Sequence, residues 1–352
     1  MTEVSAKADT STGRVPVLSV RDLHVEFATK RGAVHAVAGV SFDLYPGETL
    51  GLVGESGSGK SVTCLSLLRM VPPGAGKITA GEIILNGRNI LGIPLKKMRE
   101  VRGREIGMIL QDPMTSLDAL FTVGEQVRET LSDERQSKGA WNRVVDLLEM
   151  VRIPAARSRV KTFPHQMSGG MRQRVVAAIA LSSEPGVLLA DEPTTSLDVT
   201  IQIQFLDLLK SIQRERDLAM VLVTHDLSII ARSCERVAVM YAGKIVETAD
   251  TVSLFEAPHH PYTRSLLSSI PRLGEFPEKL PTIEGQPPDL TAPPPGCPFH
   301  PRCPVARDIC REEAPPMQTL GPDHTALCWI APGEAREAVA ASAATAPAEA
   351  TA

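Results

Sequence analysis

The segment Gly54-Glu55-Ser56-Gly57-Ser58-Gly59-Lys60-Ser61 constrains this chain more than any other, because it fits the phosphate-loop pattern in a supporting context. The apolar run Leu50-Gly51-Leu52-Val53 precedes it, and a helix-like stretch from Val62 to Met70 follows. Strand, loop and helix are thus predicted in that order. Glycines let backbone N–H groups turn inward around phosphate oxygens, and the helix offers its positive end. Lys60 would bring a point charge to the β- and γ-phosphates, and the Ser61 hydroxyl would ligate Mg²⁺. Val62, the first residue beyond, completes the candidate ATP-binding set. A glycine-rich turn before an ordinary helix is the alternative, and the Lys-Ser ending speaks against it.

Far downstream, Val187-Leu188-Leu189-Ala190-Asp191-Glu192 is a short apolar run ending in two carboxylates. A buried parallel strand has this composition and delivers charge at its carboxyl end. Asp191 suits Mg²⁺, directly or through water. Glu192 points elsewhere and could polarise an attacking water, the candidate catalytic role. Alone this run is weak evidence; paired with a phosphate loop it is strong. Between the two lies Met167-Ser168-Gly169-Gly170-Met171-Arg172-Gln173-Arg174, ahead of the helical run Val175 to Leu181. Two glycines after a serine at a helix start describe a second anion site. A single nucleotide needs only one, so the second implies another ATP or a partner's ATP.

These motifs resemble the ATP-binding cassette (ABC) family, whose marker is the Ser-Gly-Gly element, over about residues 17–267. The resemblance implies an α/β fold: a phosphate-loop NTPase cassette with a RecA-like core, an antiparallel β portion and a helical subdomain. It assigns Gln111, after the strand Ile106 to Leu110, to the loop that senses Mg²⁺ and touches a transmembrane partner. Ser196-Leu197-Asp198 matches the loop that crosses a dimer interface. His225, ending the strand Met220 to Thr224, matches the switch histidine at the γ-phosphate; a packed core histidine is the alternative. Phe27 falls where the family sets an aromatic ring against adenine, although a strand Phe is often simply core. Met171 departs from the glutamine that many cassettes carry. The implied mechanism is an ATP sandwich, each nucleotide held between one cassette's phosphate loop and another's Ser168, Gly169, Gly170, Met171 and Asp198. One set of motifs is present, so a second ATPase subunit must come from another chain.

At 352 residues the length allows about two domains. Apolar content of 43% supports a globular core, and a net charge of −4 without a dense Lys/Arg run gives no sign of a nucleic-acid surface. No apolar run reaches the ~18 residues that span a bilayer, and no signal-peptide core is visible, so a cytosolic chain is expected, linked to membranes through partners. Residues 1–16 and 333–352 are expected to be disordered on composition. The segment from about 112 to 183 lacks strong strand signals and reads as a helical insert. Ile83-Ile84-Leu85-Asn86-Gly87 marks a turn in an early antiparallel portion.

Four of six cysteines cluster in a predicted small C-terminal extension, residues 268–332: Cys297, Cys303, Cys310 and Cys328, spaced C-x5-C-x6-C-x17-C. In a cytosolic ATPase, metal is a better expectation than disulfides. Zinc sites usually pair cysteines more closely. Wider loops suit a [4Fe–4S] cluster, with Zn²⁺ or no metal as alternatives. Pro258-His259-His260-Pro261-Tyr262-Thr263 and Cys297-Pro298-Phe299-His300-Pro301-Arg302-Cys303 look like the C-terminal extension of oligopeptide/dipeptide (and nickel) permease ATPases. That resemblance implies a peptide importer's energy-coupling subunit at the cytoplasmic face of the membrane. It also implies a paralogous second cassette, two transmembrane permease subunits and an extracytoplasmic substrate-binding protein, with no nucleic acid. The rivals are a soluble ABC ATPase acting on ribosomes or DNA, a phosphate-loop kinase, a structural nucleotide-binding subunit, and an importer of nickel or another small solute.

Overall fold

A computed structural model describes residues 14–131, 137–270 and 282–331. Most of both predicted disordered ends lies outside these residues. The first strands are β1 (Leu18–Thr29), β2 (Gly32–Leu44), β3 (Thr49–Val53), β4 (Gly76–Leu85), β5 (Arg88–Asn89) and β6 (Ile106–Ile109). Then follow β7 (Val187–Asp191), β8 (Ala219–Thr224), β9 (Arg236–Tyr241), β10 (Lys244–Asp250), β11 (Met317–Gly321) and β12 (His324–Leu327).

One antiparallel sheet has the order β2-β1-β4-β5. Along β1 the buried apolar positions are Leu18, Val20, Leu23 and Val25, and the alternation slips one residue between Val20 and Leu23. Asp22, at φ 44°, makes that bulge, which keeps both halves of the strand facing one core. Asn86 and Gly87, both at positive φ, join β4 to β5 as the two-residue turn expected from sequence.

The second sheet has the order β11-β12-β10-β9-β3-β8-β7-β6 among the described residues. Its centre is parallel, and β3, β7 and β8 are buried along their whole lengths. Burial on both faces explains why these strands are apolar runs rather than alternating ones. Helices Lys60–Leu67, Gly169–Leu181 and Val199–Arg216 return the chain between them. Phe205, fully buried in the larger core, would cost ~3–5 kcal/mol if cut to Ala. From 110 to 186 the described residues form helices and turns, with no strand.

The cysteine-bearing segment is joined to this sheet: β12 pairs with β10 through Glu247↔Ala326 and Thr248↔Thr325. No helix among the described residues is long and apolar enough to cross a membrane.

Candidate active site

The phosphate loop sits between β3 and the helix Lys60–Leu67, at the carboxyl end of the parallel strands. Gly59, at φ 105°, turns the chain so tightly that any side chain there would meet the Ala36 carbonyl. Lys60 is 5% exposed, and its Nζ donates to the carbonyls of Gly54 (2.8 Å) and Glu55 (2.9 Å). Burial pulls this ammonium below its ordinary value, while Glu192, Asp191 and Glu55 oppose that. The Ser61 hydroxyl donates to Asp191 Oδ1 at 3.0 Å. Asp191 is buried, which pushes its carboxyl up against the lowering effect of Ser61. A hydroxyl and a carboxylate in contact at the loop's end form a hard-oxygen pair of the kind Mg²⁺ prefers.

Glu192 follows at φ 44°, a left-handed turn that swings it away from Asp191's side of the strand. Three groups surround its carboxylate. Gln111 Nε2 donates at 2.9 Å, Thr195 Oγ1 donates at 3.0 Å, and His225 Nδ1 lies 3.4 Å away. Gln111, expected at Mg²⁺, thus meets the neighbouring carboxylate instead of the Ser61–Asp191 pair. Thr195 had no signal in the sequence beyond its proximity to Glu192. Phe27 is half-buried on β1, packed against the smaller core with its ring beside Gly76.

The Ser-Gly-Gly element opens the helix Gly169–Leu181, with Ser168 as its N-cap; the Ser168 hydroxyl accepts from the Met171 N–H at 3.4 Å. A Cβ on Gly170 would stand 2.5 Å from Ile201, so the element leans on the helix Val199–Arg216. Asp198 caps that helix, accepting from Ile201 N–H at 3.0 Å. Ser168, Gly169 and Asp198 are exposed.

Cys297, Cys303, Cys310 and Cys328 line one cavity with His260, Phe299, Trp329 and Ile330. All four are free thiols. Burial pushes Cys297 up to about 11 and Cys303 to about 12, and raises Cys328. Such thiols ionise only beside a strong positive charge. Among the described residues, however, no three His, Cys, Asp or Glu side chains stand in position to hold a metal ion. The grouping of the cysteines expected from their spacing is present, whereas the metal centre also expected there is not formed among the described residues.

Sequence reasoning missed how the Pro258–Thr263 motif works. Glu247, fully buried, accepts from the N–H groups of His259 (2.7 Å) and His260 (2.9 Å) and from His324 (2.8 Å). These bonds hold its carboxyl below the usual range although burial opposes them. His260 caps the helix Pro261–Ser268. Tyr262, the next turn's inward residue, reaches the phosphate loop, where its hydroxyl accepts from Glu55 N–H at 2.8 Å.

Two family models match the chain: "ABC transporter" over residues 37–195, and "Oligopeptide/dipeptide transporter, C-terminal region" over 246–310. The dipeptide transport ATP-binding protein DppD of Bacillus subtilis is 50% identical across 92% of this chain and 97% of its own length. The chain belongs to the oligopeptide/dipeptide ABC transporter family. The oligopeptide transport ATP-binding protein OppD of Escherichia coli is 46% identical, covering 89% of this chain and 93% of that protein. A dimeric post-hydrolysis structure of the ATP-binding cassette MJ0796, bound to ADP and Pi, superposes with a TM-score of 0.60 at 26% identity. It covers 66% of this chain and 98% of that one. The fold of this family member is therefore the ABC cassette, and the chain is an ABC-type ATPase.

Proposed function

We propose that this ATPase is the energy-coupling subunit of an importer of dipeptides or oligopeptides. It works as a cassette dimer beneath two transmembrane permease subunits, at the cytoplasmic face of the membrane. The second cassette is a paralogue, an extracytoplasmic binding protein delivers the peptide, and nucleic acid has no part. The observation that carries this is near-full-length similarity to peptide-transport ATPases, alongside an intact Ser61–Asp191 pair and a surrounded Glu192.

In this reading the loop from Gly54 to Ser61, with Val62, cradles the triphosphate, and Phe27 offers its ring to the adenine. Lys60 leaves the loop carbonyls for the phosphates. Ser61, Asp191 and Gln111 would hold Mg²⁺, which would supply positive charge against the triphosphate. Glu192 takes the proton of the attacking water; Gln111, Thr195 and His225 orient it, and His225 also reports the γ-phosphate. The partner's Ser-Gly-Gly element and Asp198 equivalent close the site from outside. Because ATP binds the closed pair better than the open one, closure is a ligand-driven population shift. Residues 17–267 are assigned to the cassette, about 112–183 to its helical subdomain, and 268–332 to the cysteine-rich extension.

The four cysteines are assigned to a [4Fe–4S] cluster, supported by their convergence on one cavity. Such a cluster would supply the positive charge that ionises the buried thiols. Anaerobic purification with iron and acid-labile sulfide assays tests this; stoichiometric zinc without iron defeats it. For the transport role, the chain is co-expressed with candidate permease subunits from its own source and peptide-stimulated ATPase is measured in membranes. A chain that fails to co-purify with those subunits removes the importer role.

A further inference from the structure

Glu55 is the one charged side chain of the phosphate loop besides Lys60, and the C-terminal segment grips it twice. The Tyr262 hydroxyl takes its backbone N–H. Arg302 takes its carboxylate in a two-pronged pair, at 2.7 and 3.0 Å. The Arg302 side chain is only 4% exposed. It lies beside the rings of Tyr241 and Phe299 and donates to the carbonyls of Glu284 (3.0 Å) and Ile283 (3.3 Å). This is a built arginine site, not a passing surface contact.

Arg302 also immediately precedes Cys303, and its N–H donates to the Phe299 carbonyl. Phe299 lines the cysteine cavity while packing on Tyr241 and Tyr262 at ring separations of 5.2 and 5.4 Å. From the cavity to the loop the path is therefore continuous: cysteine loop, Phe299 and Arg302, Glu55. At its end the Glu55 carbonyl accepts from Lys60, so the backbone that Arg302 and Tyr262 hold also carries the phosphate-binding lysine.

Charge gives the pair a second consequence. An unpaired carboxylate in a phosphate loop repels the nucleotide it should hold, and a bidentate guanidinium cancels that repulsion. We propose that Arg302 and Tyr262 are positioning residues for the phosphate loop, and that the folded four-cysteine segment thereby sets nucleotide affinity from outside the cassette. This rests on the ATP-site assignment above and deepens it, adding a regulatory input to the same site.

The test is calorimetric titration of ADP into the full-length chain. Arg302→Met is expected to raise the ADP Kd ~10-fold and Arg302→Lys ~3-fold, since lysine keeps the charge but loses the fork. Adding Glu55→Gln to Arg302→Met should return most of the affinity, a rescue that a merely structural role for Arg302 would not give. Tyr262→Phe, which removes only the accepting hydroxyl, should raise Kd ~3-fold and serves if Arg302→Met does not fold. Cys303→Ser should weaken ADP and add little on top of Arg302→Met, because both act through one path. In the assembled transporter the Arg302→Met change should appear in KM for ATP with kcat kept. Arg302→Met within ~2-fold of the parent, or no relief from Glu55→Gln, or full additivity with Cys303→Ser, overturns the proposal. A parent chain that binds no ADP sinks the ATP-site assignment instead, so the two failures are told apart.

Discussion

Two turns in this molecule, both assigned above to phosphate, differ in their surroundings. The loop from Gly54 to Ser61 is wrapped by its own chain: Ala36 and Met240 press on its glycines, Asp191 meets Ser61, and Arg302 and Tyr262 hold Glu55. Ser168 and Gly169 share the same helix-start chemistry but stand exposed, with Leu197 behind Gly169 and Ile201 under Gly170. The first is a site one chain completes alone. The second has donors without a ligand cage, and a helix N-terminus pointing into solvent becomes a binding site only when another surface brings the anion to it. On the function proposed above, one fold carries a whole nucleotide site and half of another, so hydrolysis would depend on assembly while binding would not.

The largest loss is expected at Glu192. Glu192→Gln keeps the size and the Gln111 and Thr195 contacts but removes the proton acceptor, so turnover should fall ~10³-fold. Phosphate release would measure it, and size-exclusion chromatography with ATP should show a trapped cassette pair. Normal turnover would take the base role from Glu192. Lys60→Ala probes the self-completed site: a lone chain should lose ADP affinity ~10²-fold, since charge-assisted bonds to phosphate go with it. Ser168→Glu probes the other. The isolated chain should bind ADP within ~2-fold of the parent, while ATPase in the assembled transporter falls ~10²-fold through like-charge repulsion across the interface. Loss of ADP binding by isolated Ser168→Glu would mean the two turns serve one nucleotide within one chain.

What the sequence disclosed follows the same division. The phosphate loop, the Asp191 strand end and the Ser-Gly-Gly helix start are local patterns, and the place of each in the fold was legible because it rests on backbone conformation over a few residues. The parallel strands were legible because burial on both faces demands unbroken apolar runs. Contacts between distant segments were not. Nothing in Glu55 announces Arg302, 247 positions away, and nothing in the spacing of the cysteines shows that β12 extends the sheet beside β10. The side-chain partner of Gln111 was equally hidden, since a glutamine after a strand end can reach either Asp191 or Glu192. Bulge geometry at Asp22 also went unseen, because the alternation it shifts looks like irregular sequence until the register is known.

The weakest response is expected at the join between the self-completed site and the extension that braces it. His260 is buried, and burial lowers its imidazole to about 4 against an ordinary value near ~6.5. As pH falls through ~6.5 the unfolded chain takes up a proton that the folded His260 refuses until about 4. The stability from keeping this ring neutral is thus full above ~6.5 and drains away as pH drops towards 4. His259, also lowered by burial, adds in the same direction over this window, whereas Glu247, whose depressed carboxyl must stay charged to hold both backbone N–H groups, adds to the loss only below 4.5, where an unfolded Glu takes up its proton. A loss on the order of 1–3 kcal/mol between pH 7.5 and 5 is expected, read as a melting temperature lower by several degrees. His260→Asn keeps a capping side chain for the helix that carries Tyr262 but cannot titrate, so it should flatten part of that fall. Because Tyr262 leads directly to Glu55, ADP affinity should weaken along with the melting temperature in the parent and less in the variant. An identical pH response in both would show that the junction's stability is set elsewhere, and that the loop is held without help from this histidine.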